Sequence, residues 1–283
     1  MNINLISIPT NTHPLDGLHY TPTSIPNSGH VVQLFHGNTM NFYTGCCKFL
    51  PPDLISIGLS ALAYNRRGHD ILAIRNSRDV EGGALQMTSE ALADNNYARD
   101  WLLEKGYSSP ICIGHSNGGV LATKHAAANQ DTPALILLSA HIGGKEMLPI
   151  ASSKGLFGAS KFPEIINIAK EMVTKGQGDK IIQMPGWYWI TTPKSIIDLA
   201  SNLPHLIEEA SKIKCPVLFI RGDQEPKDLY PAEEFQKECK SPVDIVIIEN
   251  SNHFYVGAEN TVRETICNWL NDKILSKTNS YNK

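Results

Sequence analysis

Residues 111–119 read ICIGHSNGG: an apolar run ends in Gly114-His115-Ser116-Asn117-Gly118, a serine with a glycine two positions away on each side. The run predicts a strand, and the GGVLATKHAAA that follows predicts a helix. In that context the pattern is a nucleophile elbow, a turn so tight that the two glycines remove side chains that would collide. A serine seated there holds its hydroxyl clear of the backbone, at the positive end of the following helix. A serine hydroxyl is a weak nucleophile near neutral pH and needs a base. His253, in ENSNHFYVG just past the apolar run VDIVII, is the candidate. A carboxylate must then hold the imidazole tautomer, and VLFIRGDQEPKD offers two, Asp223 and Glu225. Both also suit a turn, and either reaches one ring nitrogen, the glutamate with one extra methylene.

The fourth requirement is a site for developing negative charge. His36-Gly37-Asn38 ends the run VVQLF. The small Gly37 lets the backbone amide of Asn38 face the pocket opposite the amide of Asn117, and two such donors make an oxyanion hole. In this arrangement His36 orients or packs and is not a base. Other chemistries lack their signatures. There is no G-x-x-x-x-G-K-[ST], no H-E-x-x-H and no G-x-G-x-x-G after a strand. His69-Asp70 alone is a weak metal site, so no metal and no cofactor is expected.

The elements that must position these residues follow from hydrophobic periodicity. Ile3–Ile8 alternates as a half-exposed strand, whereas Val31–Phe35, Ser60–Tyr64, Pro110–Ile113, Ala134–Ser139, Val217–Ile220 and Val243–Ile248 read as buried strands. Helices are expected over Ser89–Lys105, with Leu92, Tyr97, Trp101 and Leu102 at roughly helical spacing, over Gly118–Asn129, and over Asn260–Leu275, with Val262, Ile266, Trp269, Leu270 and Ile274 on one face. Strands alternating with helices imply a mainly parallel sheet covered on both sides. From His141 to about Lys212 no strand is expected and the pattern is helical, with the aromatic cluster Trp187-Tyr188-Trp189. The chain therefore divides into core (1–140), an inserted segment over the sheet (141–212) and core again (213–283).

Together these segments resemble the α/β-hydrolase superfamily, of the esterase and lipase type. The resemblance runs along most of the chain: His36-Gly37, Asn65-Arg66-Arg67-Gly68-His69, the elbow from Gly114 to Gly119, Gly222 to Glu225, and Asn252-His253-Phe254, in the family's order of serine, acid, histidine. It implies a mainly parallel eight-stranded sheet flanked by helices, with a helical cap inserted after strand six. It also implies a Ser116-His253-acid triad. The family commonly places its acid three residues after the glycine equivalent to Gly222, which favours Glu225 over Asp223. Under such a cap, Trp187, Tyr188 and Trp189 are candidates to line an apolar pocket, although any one of them also suits simple packing. Asn65 and Asp70 depart from the family's usual turn after the fourth strand. The activity implied is hydrolysis of an ester, thioester, lactone or amide of a small to medium, largely apolar molecule. Acyl transfer, or ligand binding without turnover on the same fold, are the alternatives.

Bulk composition agrees with a small-molecule enzyme. A net charge of −3 over 283 residues argues against nucleic acid or an anionic membrane as partner. Arg66-Arg67, the notable basic doublet, reads as a solvated turn. No run is long enough to span a membrane. The six cysteines show no metal-ligand spacing. MNINLISIPT lacks the basic and apolar regions of a secretory leader, so the cytoplasm is the expected location.

Overall fold

The computed structural model describes residues 1–75, 78–184 and 189–276. Its centre is one eight-stranded sheet built from β1 (Asn2–Ile8), β2 (Leu15–Thr21), β3 (Val31–Phe35), β4 (Ser60–Tyr64), β5 (Ile111–His115), β6 (Leu135–Leu138), β7 (Val217–Gly222) and β8 (Val243–Ile248). The spatial order is β1-β2-β4-β3-β5-β6-β7-β8. β2 pairs antiparallel with both β1 and β4, and the remaining pairs are parallel. β3 to β7 are buried along their whole length, as expected of apolar strands covered on both faces, but β8, also expected to be buried, lies at the sheet edge and buries only Ile248 fully. Strand β2 was not expected from periodicity. Its sequence, LDGLHYT, is broken by Gly17 and by polar side chains, and Gly17 is needed because a Cβ there would lie 2.9 Å from Tyr64 Cα.

Helices cover both faces. One face packs Val32, Leu34, Ile111, Ile136 and Leu218 against α1 (Gly45–Phe49), α2 (Pro51–Ser56) and α10 (Glu259–Leu270). The other packs Phe35, Leu135, Leu137 and Phe219 against α4 (Asn117–Ala128), α8 (Leu206–Ala210) and α9 (Ala232–Glu238). Between β6 and β8's predecessor β7 lie α5 (Met147–Ser153), α6 (Phe162–Thr174), α7 (Pro193–Asn202) and α8. α5, α6 and α7 share an apolar cluster with Val120, Leu229 and Tyr230, so it is anchored on the sheet-bearing part of the chain, whereas α8 packs on the sheet itself. A short hairpin pairs Ile182–Gln183 with Ile190–Thr191, where no strand was expected; two residues a side are too few to leave a periodic signal.

Two further expectations need correcting. Helix α3 (Thr88–Glu104) does not bury the face of Leu92, Tyr97 and Trp101, which are only half-buried; it buries Ala91, Asp94, Asn95, Ala98 and Leu102. Small and polar residues win because they let the helix approach closely and satisfy buried groups. The Tyr64 hydroxyl donates to Asn95 Oδ1 at 2.7 Å, and Gln33 Nε2 donates to the Asn95 carbonyl at 2.9 Å. Nor is Arg66-Arg67 a solvated turn. Arg66 is fully buried, and Arg67 is clamped by Asp94, which accepts both its Nε–H (2.8 Å) and its backbone N–H (2.8 Å).

Pairing register explains how distant residues meet. Phe35 pairs with Gly114, His115 with Leu138, Leu138 with Ile220, and Gly222 with Ile248. The carboxyl ends of β3, β5, β6, β7 and β8 therefore fall along one edge, and the loops that follow them emerge side by side.

Candidate active site

Ser116 sits between β5 and α4 with φ 56° and ψ −125°, a conformation most side chains avoid. Its amide donates to the Leu138 carbonyl at 2.9 Å, and its carbonyl accepts from Gly119 N at 2.9 Å, so both neighbouring elements hold the turn. Glycine is required on each side. A Cβ at Gly114 would strike the Gly118 carbonyl, one at Gly118 the carbonyls of Phe35 and His36, and one at Gly119 would come within 2.6 Å of Ala140 Cβ.

His253, on the loop after β8, brings its Nε2 to 3.0 Å from Ser116 Oγ, across 137 residues of sequence. Its Nδ1 lies 2.7 Å from Glu225 Oε1. A carboxylate accepts, so Nδ1 carries the proton and the Nε2 lone pair faces the serine hydroxyl. Glu225 Oε2 in turn accepts from Ser139 Oγ at 2.5 Å and from Gly222 N at 2.9 Å. The glutamate side chain is 3% exposed, and three donors compensate for its loss of water. Asp223 stands apart from the imidazole. Its two oxygens accept the amides of Asn250 (2.9 Å) and Ser251 (3.0 Å), which hold its carboxyl below the usual range. Of the two carboxylates, Glu225 meets His253 and Asp223 shapes the loop that carries it.

His36 is buried and neutral. The Arg66 amide donates to its Nε2 at 3.1 Å, so its proton is on Nδ1, which donates to the Gly37 carbonyl at 2.8 Å. Burial, then the nearby Arg66 charge, keep its pKa well below the ordinary histidine value. The residues that depart from the family turn knit this loop from the other side. Asn65 Oδ1 accepts Phe42 N at 2.8 Å, and Asp70 Oδ1 accepts Asn41 Nδ2 at 2.7 Å. His69, beside it, is gripped by Asp70 (2.7 Å) and Glu81 (3.1 Å). Asn38 is half-buried; Asn117 is buried, and its side-chain amide has no hydrogen-bond partner among the described residues.

No protein-family model matches the sequence, and no curated protein matches it. Solved structures do. The chain is similar to Est1E from Butyrivibrio proteoclasticus with bound ferulic acid (20% identity, 95% of this chain and 99% of that one, TM-score 0.74). It is also similar to a highly thermostable carboxyl esterase from Bacillus coagulans in complex with glycerol (16%, 97% and 99%, TM-score 0.70). A third match is a soluble variant of monoglyceride lipase from Saccharomyces cerevisiae (14%, 96% and 96%, TM-score 0.69). The chain has the α/β-hydrolase fold.

Within this α/β-hydrolase fold, several residues near His253 were not singled out from sequence. His115 Nε2 donates to the His253 carbonyl at 2.8 Å, and burial, followed by the His253 charge, pushes its pKa down to about 3. The His253 ring is flanked by His115 (4.8 Å between centroids), Phe254 (5.0 Å) and Tyr230 (5.1 Å). His141, after β6, accepts the Gly143 amide on Nδ1 at 3.1 Å and is likewise pushed down to about 3, chiefly by burial. Nothing in sequence spacing marks these positions, since each depends on which loops the register brings together. Trp187 and Tyr188 lie outside the described residues. Trp189 is buried in the cluster of α5, α6 and α7, where its ring meets Phe157 edge-on at 5.1 Å. A surface concavity of about 470 Å³ lined by Lys161, Glu164, Ile165, Ile168, Ile182 and Gln183 contains none of Ser116, His253 and Glu225.

Proposed function

We propose that the protein is a serine hydrolase that cleaves carboxylic esters through an acyl-enzyme. The reading is carried by one observation, the hydrogen-bonded line from Glu225 Oε1 through the His253 ring to Ser116 Oγ, with steps of 2.7 and 3.0 Å. Ser116 Oγ attacks the ester carbonyl while His253 Nε2 takes its proton. The tetrahedral intermediate collapses as the imidazolium returns that proton to the leaving alcohol. Water, deprotonated by His253, then releases the acid and regenerates the serine.

The amides of Asn38 and Asn117 are assigned to the oxyanion. Asn117 opens α4, whose first N–H groups have no intrahelical acceptor. The Gly37 carbonyl points at His36 Nδ1, so the Asn38 N–H of the same planar trans peptide points the other way. The segment from α5 to α7 is read as a cap over the site, which would set acyl and alcohol selectivity. The similar esterase and lipase structures support an ester substrate. Six unpaired thiols support a reducing compartment.

A panel of p-nitrophenyl esters of increasing acyl length, run beside aryl-amide and lactone substrates, tests the reading. Saturable ester hydrolysis is the expected result. No turnover across the panel by folded protein would sink it.

A further inference from the structure

Ser139 and Tyr255 come from different loops and both hold positive φ without being glycine, 46° and 57°. Such backbone is uncommon and persists where surrounding structure imposes it. Ser139 is the first residue past β6, held there by its amide, which donates to the Ile220 carbonyl at 2.8 Å. Tyr255, two residues after His253, is 1% exposed. Their hydroxyls lie 2.6 Å apart, and the tyrosine hydroxyl is also 3.1 Å from the Ile220 carbonyl. Ser139 Oγ has one proton, and the Glu225 carboxylate 2.5 Å away can only accept it. A 2.6 Å contact between two hydroxyls needs a proton in it, so the tyrosine donates to Ser139 Oγ, which leaves the serine hydroxyl turned toward Glu225.

We infer that Ser139 and Tyr255 are positioning residues that hold the Glu225 carboxylate ionised and aimed at His253, with Tyr255 acting through Ser139. The inference rests on the assignment of Ser116, His253 and Glu225 as the reacting group. Glu225 accepts from the imidazole on one oxygen and from Ser139 and the Gly222 amide on the other. Among the described residues, the titratable groups facing this carboxylate are the His253 ring, Tyr255, and Tyr230, whose pKa is raised by burial and then by Glu225. His115 and His141 bear on His253 itself.

Removing the Ser139 hydroxyl leaves Oε2 with the Gly222 amide alone. The pair of His253 and Glu225 then carries its net negative charge less well when the imidazole is neutral than when it is protonated. The pair keeps its proton to higher pH, and the fraction of His253 able to act as base at a given acidic pH falls.

The test is the pH dependence of covalent labelling of Ser116 by a fluorophosphonate, in which the serine oxygen bonds to phosphorus, fluoride leaves and His253 takes the proton. In Ser139→Ala the acid limb should move up by about half a pH unit or more, and the plateau rate should fall about tenfold or more. Tyr255→Phe should shift it less, in the same direction. The double variant should match Ser139→Ala alone, because the tyrosine acts only through the serine. An unmoved limb in a folded Ser139→Ala, or additive effects of the two changes, overturns the inference. Should the wild-type protein resist labelling altogether, the reading of Ser116 as nucleophile fails instead. Proton NMR titration of His253 in wild type and Ser139→Ala then tests the same shift without any reaction, and equal midpoints overturn it.

Discussion

Asp223 and Glu225 stand two residues apart on one loop and grip the same partner loop at different points. Asp223 takes the amides of Asn250 and Ser251, and Glu225 takes the ring of His253. One carboxylate shapes the backbone that delivers the histidine, and the other sets its tautomer.

That division of labour predicts a separation of effects. Glu225→Gln keeps the shape but offers a neutral amide to Nδ1, and should lower kcat by roughly 10³–10⁴. Asp223→Asn should lower Tm and leave kcat close to wild type, because the imidazole keeps its partner. Steady-state kinetics beside thermal melts of the two variants distinguish them. Equal losses of kcat would mean that the loop and the chemistry are not separable.

Ser116→Ala should lower kcat by roughly 10⁵–10⁶ while the fold persists. The backbone at 116 remains held by the Leu138 and Gly119 hydrogen bonds. Circular dichroism and single-turnover kinetics check the two halves, and an active Ser116→Ala protein refutes the nucleophile.

The Arg67–Asp94 clamp joins the loop after β4 to α3 in a buried setting. Asp94→Ala leaves a guanidinium that retains only Glu90, Thr12 and Asn11, and strips the Arg67 amide of its acceptor. A loss of about 3 kcal/mol in urea unfolding is expected. Replacing both partners by apolar residues should recover part of it. A double variant as unstable as Asp94→Ala would assign the loss to packing instead.

His69 links stability to pH. Burial opposes charge on its ring, but hydrogen bonds to Glu81 and Asp70 outweigh it, and the pKa rises above the ordinary 6.5. A group raised on folding stabilises fully below its unfolded value of about 6.5, and that contribution disappears as pH climbs through the folded value. Tm should therefore decline in wild type as pH rises above about 6.5, and decline less in His69→Gln. Parallel curves for the two proteins would dismiss the linkage.

What was legible in the sequence follows what the backbone itself demands. The elbow showed because its turn excludes side chains at 114 and 118, and glycine is a visible answer to that demand. The strand ends showed because fully covered strands are continuously apolar. The residues alone left the acid open, and only the resemblance favoured Glu225, because side-chain reach does not distinguish it from Asp223; the choice depends on where the amides of 250 and 251 lie. The docked face of α3 was misread because it is joined by Asp94 and Asn95, and a buried polar network looks like a solvated face when only hydropathy is read. For the same reason Arg66 and Arg67 were placed in water. Ser139, Tyr255 and His115 left no trace at all, since their partners are 86, 116 and 138 residues away.

β8 is one of the two edge strands of the sheet, and the histidine rides on the loop that follows it. On the proposed function, catalysis requires this strand to have docked, because His253 reaches Ser116 only from the loop that follows it. Such long-range closure is slow relative to helix formation. Recovery of ester hydrolysis during refolding should coincide with the final, slowest phase, and a nascent chain that stops short of β8 should show none.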